Sequence, residues 1–241
     1  MSGGVATTGP GHSAVTGQES THRSLVDALR TRMGREEPMT WSFIGDSVTA
    51  AGWHTFGSRG YPELVHERLR ELRRRADIVI NSGHSGWQIS NLHADLERIA
   101  LRFAPDVAVI GIGINDTKMG PENLEAFKDS YRELVTRLRS AGIEHIIGQT
   151  PNGTLPTAPG HVVEHLPAYA DAISEVAAEL GIVLVDHYGT WTEAPESSWF
   201  HWLGHGCHPN AAGHRVLARE FFRTLGVWDP EGSRVCRLFI P

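Results

Sequence analysis

TWSFIGDSVTAAGW, residues 40–53, leaves a short apolar run through a glycine and enters a serine-led segment. An apolar run that stops at Gly-Asp-Ser reads as a buried strand, residues 40–45, which hands the chain to a tight turn and a helix. The same rhythm continues outward. DIVINS (77–82), DVAVIGIG (106–113), EHIIGQT (144–150) and GIVLVD (181–186) are further short apolar runs. Between them lie amphipathic stretches such as YPELVHERLRELRRR, PENLEAFKDSYRELVTRLRS and VEHLPAYADAISEVAAEL. Strands that are apolar on both faces and alternate with helices imply a parallel sheet covered on each side. The expected fold is therefore α/β, a three-layer α/β/α sandwich around a parallel five-stranded sheet.

With 241 residues and no linker in mid-chain, one domain is expected over residues 21–241, with a short N-terminal helix and a C-terminal extension. Residues 1–20 are rich in Gly, Ser and Thr and read as a flexible tail. STHRSLVDALRTRMG (20–34) then reads as a capped helix, with Leu25, Leu29 and Met33 at helical spacing and Gly34 as its stop. A net charge of -6 argues against a nucleic-acid or anionic-membrane partner. The densest basic run, RLRELRRRAD (68–77), contains Glu71 and Asp77 and reads as a solvated helix face. No stretch is long and apolar enough to span a bilayer, and the start has neither a basic n-region nor an apolar h-region. The expectation is a cytoplasmic protein, with secretion of a processed form still open. Cys207 and Cys236 do not make a disulfide scaffold, and free thiols are expected.

Parallel α/β sheets place function at the carboxyl ends of their strands. Ser47 stands at the first such end, where Gly45 permits a tight turn, and is well placed to act as a nucleophile. It needs a base, and HWLGHGCHPNAAGH (201–214) supplies His208 if that segment folds back over the strand ends. An oxyanion formed during acyl transfer needs donors. The N–H of Ser47, the N–H of Gly86 and the carboxamide of Asn115 all follow strands expected to be neighbours. Asp46 and Asp116 read as braces for their loops, and Arg59 and Lys118 as solvated charge.

FIGDSVT, SGHSGWQ, GIND and HPNAAGH resemble, in order and spacing, the four sequence blocks of the SGNH hydrolases, or GDSL esterases and lipases, over about residues 40–226. The resemblance implies a flavodoxin-like sandwich and ester hydrolysis through an acyl-serine. Carried over by position, Ser47 is the nucleophile, Ser47, Gly86 and Asn115 form the oxyanion hole, and His208 is the general base. The family usually has an Asp three residues before its catalytic histidine, and here that position is His205. Three explanations stay open: a Ser–His dyad whose His208 is held by His205 or a backbone carbonyl, a carboxylate from Asp186, Glu193 or Glu196, or a fold that has lost catalysis. The first is favoured. His201, His205, His208 and His214 match no known zinc spacing, so neither metal nor cofactor is expected.

Trp53, Trp87, Trp191, Trp199 and Trp202 fall on or beside the expected active edge, and of these Trp53, Trp87 and Trp202 are the candidate substrate contacts. The GDSVTAAGW opening looks like that of family members which remove acetyl groups from carbohydrates. The expected partner is a small acyl ester, such as an O-acetylated sugar. An acyltransferase using the same Ser–His site and a non-catalytic carbohydrate-binding protein are the alternatives.

Overall fold

A computed structural model describes residues 11–238, with side chains from residue 19. In chain order the elements are α1 (Gly11–Met33), β1 (Thr40–Gly45), α2 (Ser47–Ala50), α3 (Tyr61–Glu71), β2 (Ile78–Asn81), α4 (Ile89–Ile99), β3 (Val107–Gly111) and α5 (Leu124–Ser140). Then follow β4 (His145–Gln149), α6 (Gly160–Leu180), β5 (Val183–Val185), α7 (His187–Glu193), α8 (Glu196–Trp202), β6 (Leu203–His205), β7 (His208–Pro209) and α9 (Ala211–Thr224).

Strands β1 to β5 form one parallel sheet in the order β2-β1-β3-β4-β5. Alternation along each strand divides the apolar side chains between two cores. Trp41, Phe43, Val107, Val109, Ile147 and Val185 pack with α1, α3 and α9, whereas Ile44, Ala108, Ile110 and Ile146 pack with α4, α5 and α6. This is the three-layer sandwich expected from the sequence. The strand order reverses direction at β1 and β3, and the crevice beyond their carboxyl ends is where such sheets bind ligands.

The turn after β1 is set by close backbone contact. A Cβ on Gly45 would lie 2.1 Å from the carbonyl oxygen of Gly111 and 2.4 Å from Thr49 Oγ1, so only glycine fits there. The Asp46 N–H continues the ladder by donating to Gly111 O at 3.1 Å, and Asp46 Oδ1 then accepts from the Val48 N–H at 2.9 Å to cap α2. Beneath this turn runs a buried polar chain. His187 Nε2–H donates to Gln149 Oε1 (3.0 Å), Gln149 Nε2 donates to the Tyr61 hydroxyl (2.8 Å), and Tyr61 pairs with Thr49 Oγ1 (3.1 Å). These bonds link α7, β4, α3 and α2 under the site.

Two expectations need correction. Helix α1 starts at Gly11 and not at Ser20. Val26 and Leu29 anchor it against the sheet, and once a helix is nucleated each added residue costs little, so the weak helix formers before Ser20 are carried along. The rest of the expected tail, residues 1–10, lies outside the described residues. Second, the run 68–77 is not uniformly solvated. Arg68 and Arg74 are buried, Arg68 Nε donating to Val227 O (2.9 Å) and Arg74 pairing with buried Asp77 at 2.7 Å. Asp77 in turn accepts from the Met39 N–H and from Trp41 Nε1, which explains why this ion pair is kept. The C-terminal extension packs on the same domain: Glu71 accepts from the N–H groups of Arg234 and Val235, and Val235 and Cys236 enter the α1/α3/α9 core.

Tyr61→Phe should lower thermal stability without altering the fold. It strands the Gln149 amide and the Thr49 hydroxyl in a buried setting, at a cost of about 1–3 kcal/mol. For a chain of this size that is a Tm drop of several degrees, at roughly 2–4 °C per kcal/mol. Thermal denaturation followed by circular dichroism reads it, and an unchanged Tm would contradict the network.

Candidate active site

Ser47 is the first residue of α2, at the end of β1, and is 6% exposed. Its Oγ lies 2.8 Å from Nε2 of His208, which arrives from the far end of the chain on the β6–β7 hairpin. That hairpin is held over the strand ends by two bonds. Leu155 N–H donates to Gly206 O at 2.7 Å, and Asn152 Nδ2 donates to Cys207 O at 3.1 Å. Just beyond it Asn210 caps α9 by accepting from the Ala212 and Gly213 N–H groups, and its Nδ2 donates to His201 O. The final helix and the hairpin thus fix one another, and the loop position of His208 becomes rigid.

Gly86 and Asn115 flank Ser47 on the loops after β2 and β3. The β2 loop is tied to β1 by the His84 N–H donating to Gly45 O at 2.9 Å. Gly86 has φ +81°, a backbone that side chains rarely adopt, and the space around its missing Cβ is open. Asn115 Nδ2 donates to Trp87 O at 3.1 Å, its own carbonyl accepts from Gln88 Nε2 at 3.1 Å, and Asp116 Oδ1 accepts from the Ile89 N–H at 2.9 Å. The two loops are therefore clasped together. The N–H groups of Ser47 and Gly86 donate to no protein acceptor among the described residues, which leaves both for a substrate oxygen. Asp46 and Asp116 are braces, and burial pushes their carboxyls up, to about 7 and about 6.

With Nε2 accepting from Ser47, the proton of His208 sits on Nδ1. No carboxylate is bonded to it among the described residues. Asp186 is spent on capping α7 and on Thr150 Oγ1, and Glu193 and Glu196 are exposed at helix ends. Neither His205 nor a backbone carbonyl, the orienters favoured from sequence, accepts from Nδ1. The neighbour is the thiol of Cys207, with Sγ 3.6 Å away, a long bond to a weak acceptor. Burial pushes that thiol up to about 11, so it is neutral.

Two further imidazoles complete the surroundings. The His54 ring lies parallel to that of His208 at 3.5 Å between centroids, and the exposed His205 ring is tilted at 4.6 Å. His54 and His205 meet edge to face at 5.3 Å. Burial, then the proximity of His54 and His205, pulls His208 down to about 4, so it is a neutral imidazole in neutral solution. His54 was not singled out from the sequence. It lies in the loop beyond the nucleophile turn, and no periodicity relates residue 54 to residue 208; an inventory of every titratable group on the strand-end loops would have found it.

The remaining candidates separate. His214 is fully buried in α9, where Nδ1 accepts from the Tyr61 N–H at 3.2 Å and burial holds the ring down at about 3. His201 is exposed on α8. Trp53 is 86% exposed and directly precedes His54 in the chain. Trp87 is half-buried and stacks on His84 at 4.7 Å, while Trp202 packs edge to face on fully buried Trp191 at 5.1 Å and belongs largely to the core. Arg59 is exposed and paired with Glu67, and Lys118 is exposed. Cys207 and Cys236 are both free and buried. No helix among the described residues is long and apolar enough to cross a membrane.

Known proteins resemble this chain in sequence and in fold. Residues 43–216 match the model of the GDSL-like lipase/acylhydrolase family. An acetylxylan esterase of Geobacillus stearothermophilus is 28% identical over 203 residues, covering 76% of this chain and 92% of that enzyme. The crystal structure of Axe2, an acetylxylan esterase from the same organism, superposes with a TM-score of 0.63 at 25% identity, covering 78% of this chain and 94% of the other. LAE5, an α/β hydrolase enzyme from the metagenome of Lake Arreo, gives a TM-score of 0.65 at 26% identity, over 79% and 96% of the two chains. With the matched residues running from β1 to α9 and enclosing both Ser47 and His208, the chain belongs to the GDSL-like lipase/acylhydrolase family and is a carboxylic ester hydrolase.

Proposed function

We propose that this esterase works through an acyl-serine and removes small acyl groups, acetyl foremost, from a carbohydrate or glycoside. The observation that carries the mechanism is the 2.8 Å contact between Ser47 Oγ and His208 Nε2. Ser47 Oγ attacks the ester carbonyl while Nε2 takes its proton. The oxyanion rests on the N–H groups of Ser47 and Gly86 and on the second amide hydrogen of Asn115, whose first is used on Trp87 O. His208 returns the proton to the leaving alkoxide. A water then repeats the sequence on the acyl-serine and frees the acid and Ser47.

The acetyl-carbohydrate assignment is supported by the name of the related Geobacillus enzyme and by the exposed face of Trp53, an aromatic surface on which a sugar ring can stack. The loops around the site are short, so a long acyl chain finds no lid to cover it.

A weaker base is the consequence of the lost carboxylate. In triad enzymes the third member stabilises the imidazolium, and spoiling it can cost about 10⁴ in turnover. Here His208 has a neutral thiol and two imidazole rings beside it and no carboxylate, so a slow esterase on generic esters is expected.

Three measurements test this reading. In EDTA, wild-type protein should hydrolyse p-nitrophenyl acetate faster than the butyrate and accept one fluorophosphonate per chain by intact mass. Ser47→Ala should take no adduct and lose at least about 10³ in rate. Turnover that survives this substitution would refute the acyl-serine. For pH, His208 must be neutral to accept the proton, and a base lowered to about 4 stays neutral well into acid. Hence kcat/KM should hold from pH 7 to about pH 5 and fall only below that, through about 4. A limb near the ordinary histidine value of about 6.5 would contradict the described surroundings of His208. Lastly, His205→Asp puts a carboxylate beside a ring now 4.6 Å from that of His205. It should raise the acidic limb and increase turnover by about tenfold or more; unchanged kinetics would mean that position 205 does not reach His208.

A further inference from the structure

We propose that His54, His205 and His208 form a binding site for a zinc-like divalent transition-metal ion, and that occupation of this site switches the esterase off. The inference rests on the Ser47–His208 dyad read above. One ring nitrogen from each of the three histidines lies within 4.8 Å of the others. The cluster is assembled by the fold from a loop beyond α2 and from both strands of the β6–β7 hairpin, so no spacing in the sequence announces it. It is also a different set from His201, His205, His208 and His214, which the structure separates between an exposed helix, the site and the core.

The chemistry of the donors selects the ion. Three imidazoles without a carboxylate suit zinc, copper or nickel and offer little to magnesium or calcium, which take oxygen ligands. The imidazole rings of His54 and His205 make no hydrogen bond among the described residues, so their nitrogens have no competing protein partner. A tetrahedral zinc with nitrogens at 2.0–2.1 Å needs them about 3.4 Å apart. The set must therefore contract, and His205, exposed at the hairpin turn, is the member free to swing inward. Three protein ligands leave the fourth position to water or to Ser47.

Binding through either nitrogen of His208 removes the base. A metal on Nε2 uses the lone pair that would take the proton from Ser47. A metal on Nδ1 leaves the proton on Nε2, which then donates toward Ser47 and no longer accepts. Beside the ring it also puts a positive charge where triad enzymes have a negative one, opposing the imidazolium of the transition state.

The test starts from chelator-treated protein. Binding is read by calorimetry with Zn²⁺ and by the visible absorption of Co²⁺, and activity by p-nitrophenyl acetate hydrolysis, each variant referred to its own metal-free rate. The expected result is one ion per chain with tetrahedral Co²⁺ bands. Zn²⁺ should lower the rate about tenfold or more, EDTA should restore it, and Mg²⁺ should do nothing. His54→Asn and His205→Asn should each weaken Zn²⁺ binding by about tenfold or more. Absence of binding by both readouts, or binding in both variants as tight as in the wild type, overturns the site while leaving Ser47-dependent turnover in EDTA intact. Binding with an unchanged rate overturns the switch. A rate that rises with Zn²⁺ and vanishes in EDTA overturns the switch and the acyl-serine reading together, and loss of the fluorophosphonate adduct in EDTA marks that case.

Discussion

The backbone contact between β1 and β3 at Gly45 and Gly111 is the constraint on which the site depends. A parallel pair normally separates where its strands end, but here the Asp46 N–H reaches Gly111 O and carries the pairing one residue past β1. The space left by the missing Cβ of Gly45 lets Thr49 close in from above while Gly111 closes in from the side. The chain then has no choice but to turn, and Ser47 emerges at the head of α2 with its hydroxyl beyond the sheet. Because β1 sits between β2 and β3, the loops that carry Gly86 and Asn115 are brought to either side of that hydroxyl. The nucleophile and its oxyanion donors are thus consequences of strand order, and the Thr49–Tyr61–Gln149–His187 chain beneath them resists any sinking of α2.

The base has a different origin. His208 belongs to a hairpin whose strands are too short to stand alone, and its rigidity is borrowed from the Asn210 cap, Asn152 and Leu155. A side chain held in this way keeps its position even without an acid partner, which is why the missing Asp need not scramble the geometry. What the substitution changes is the electrostatics. A carboxylate at position 205 would share the proton on Nδ1 and favour the charged ring, whereas a second and a third imidazole disfavour it. The Ser–His geometry of a triad enzyme is kept, and the support that a carboxylate would give the charged ring is gone.

Legibility from sequence follows the range of the interactions involved. Strands β1 to β5 and the Ser47 turn are governed by local pattern, and their positions could be read to within a few residues. The pairing of Ser47 with His208 is long-range: the residues alone offer it only if segment 201–214 folds back over the strand ends, and it is the resemblance of four short blocks to a known family that implies the fold-back. Where an outcome depended on tertiary packing with no such aid, the reading failed. Helix α1 runs back to Gly11 because its later turns are anchored, and Arg68 and Arg74 are buried because Asp77 and Val227 O wait for them. Trp202 looked like a rim residue but found Trp191 underneath. Strands β6 and β7 are two or three residues long, below the length at which periodicity carries information.

His54 is the sharpest case of that limit, and it decides what kind of site this is. Considered singly, it is one of 14 histidines, in a loop with no motif. Placed by the fold it stacks on His208, and together with His205 it gives the base a neighbourhood made of lone pairs with no negative charge to complete it. Such a neighbourhood has two ways of being satisfied. A proton can be taken up, which the crowding of three like groups opposes, or a cation with empty orbitals can bridge them, which the same crowding favours. Exchange of one carboxylate for imidazole therefore does more than weaken a base. It turns a place that would gather a proton for catalysis into one that can gather a metal against it.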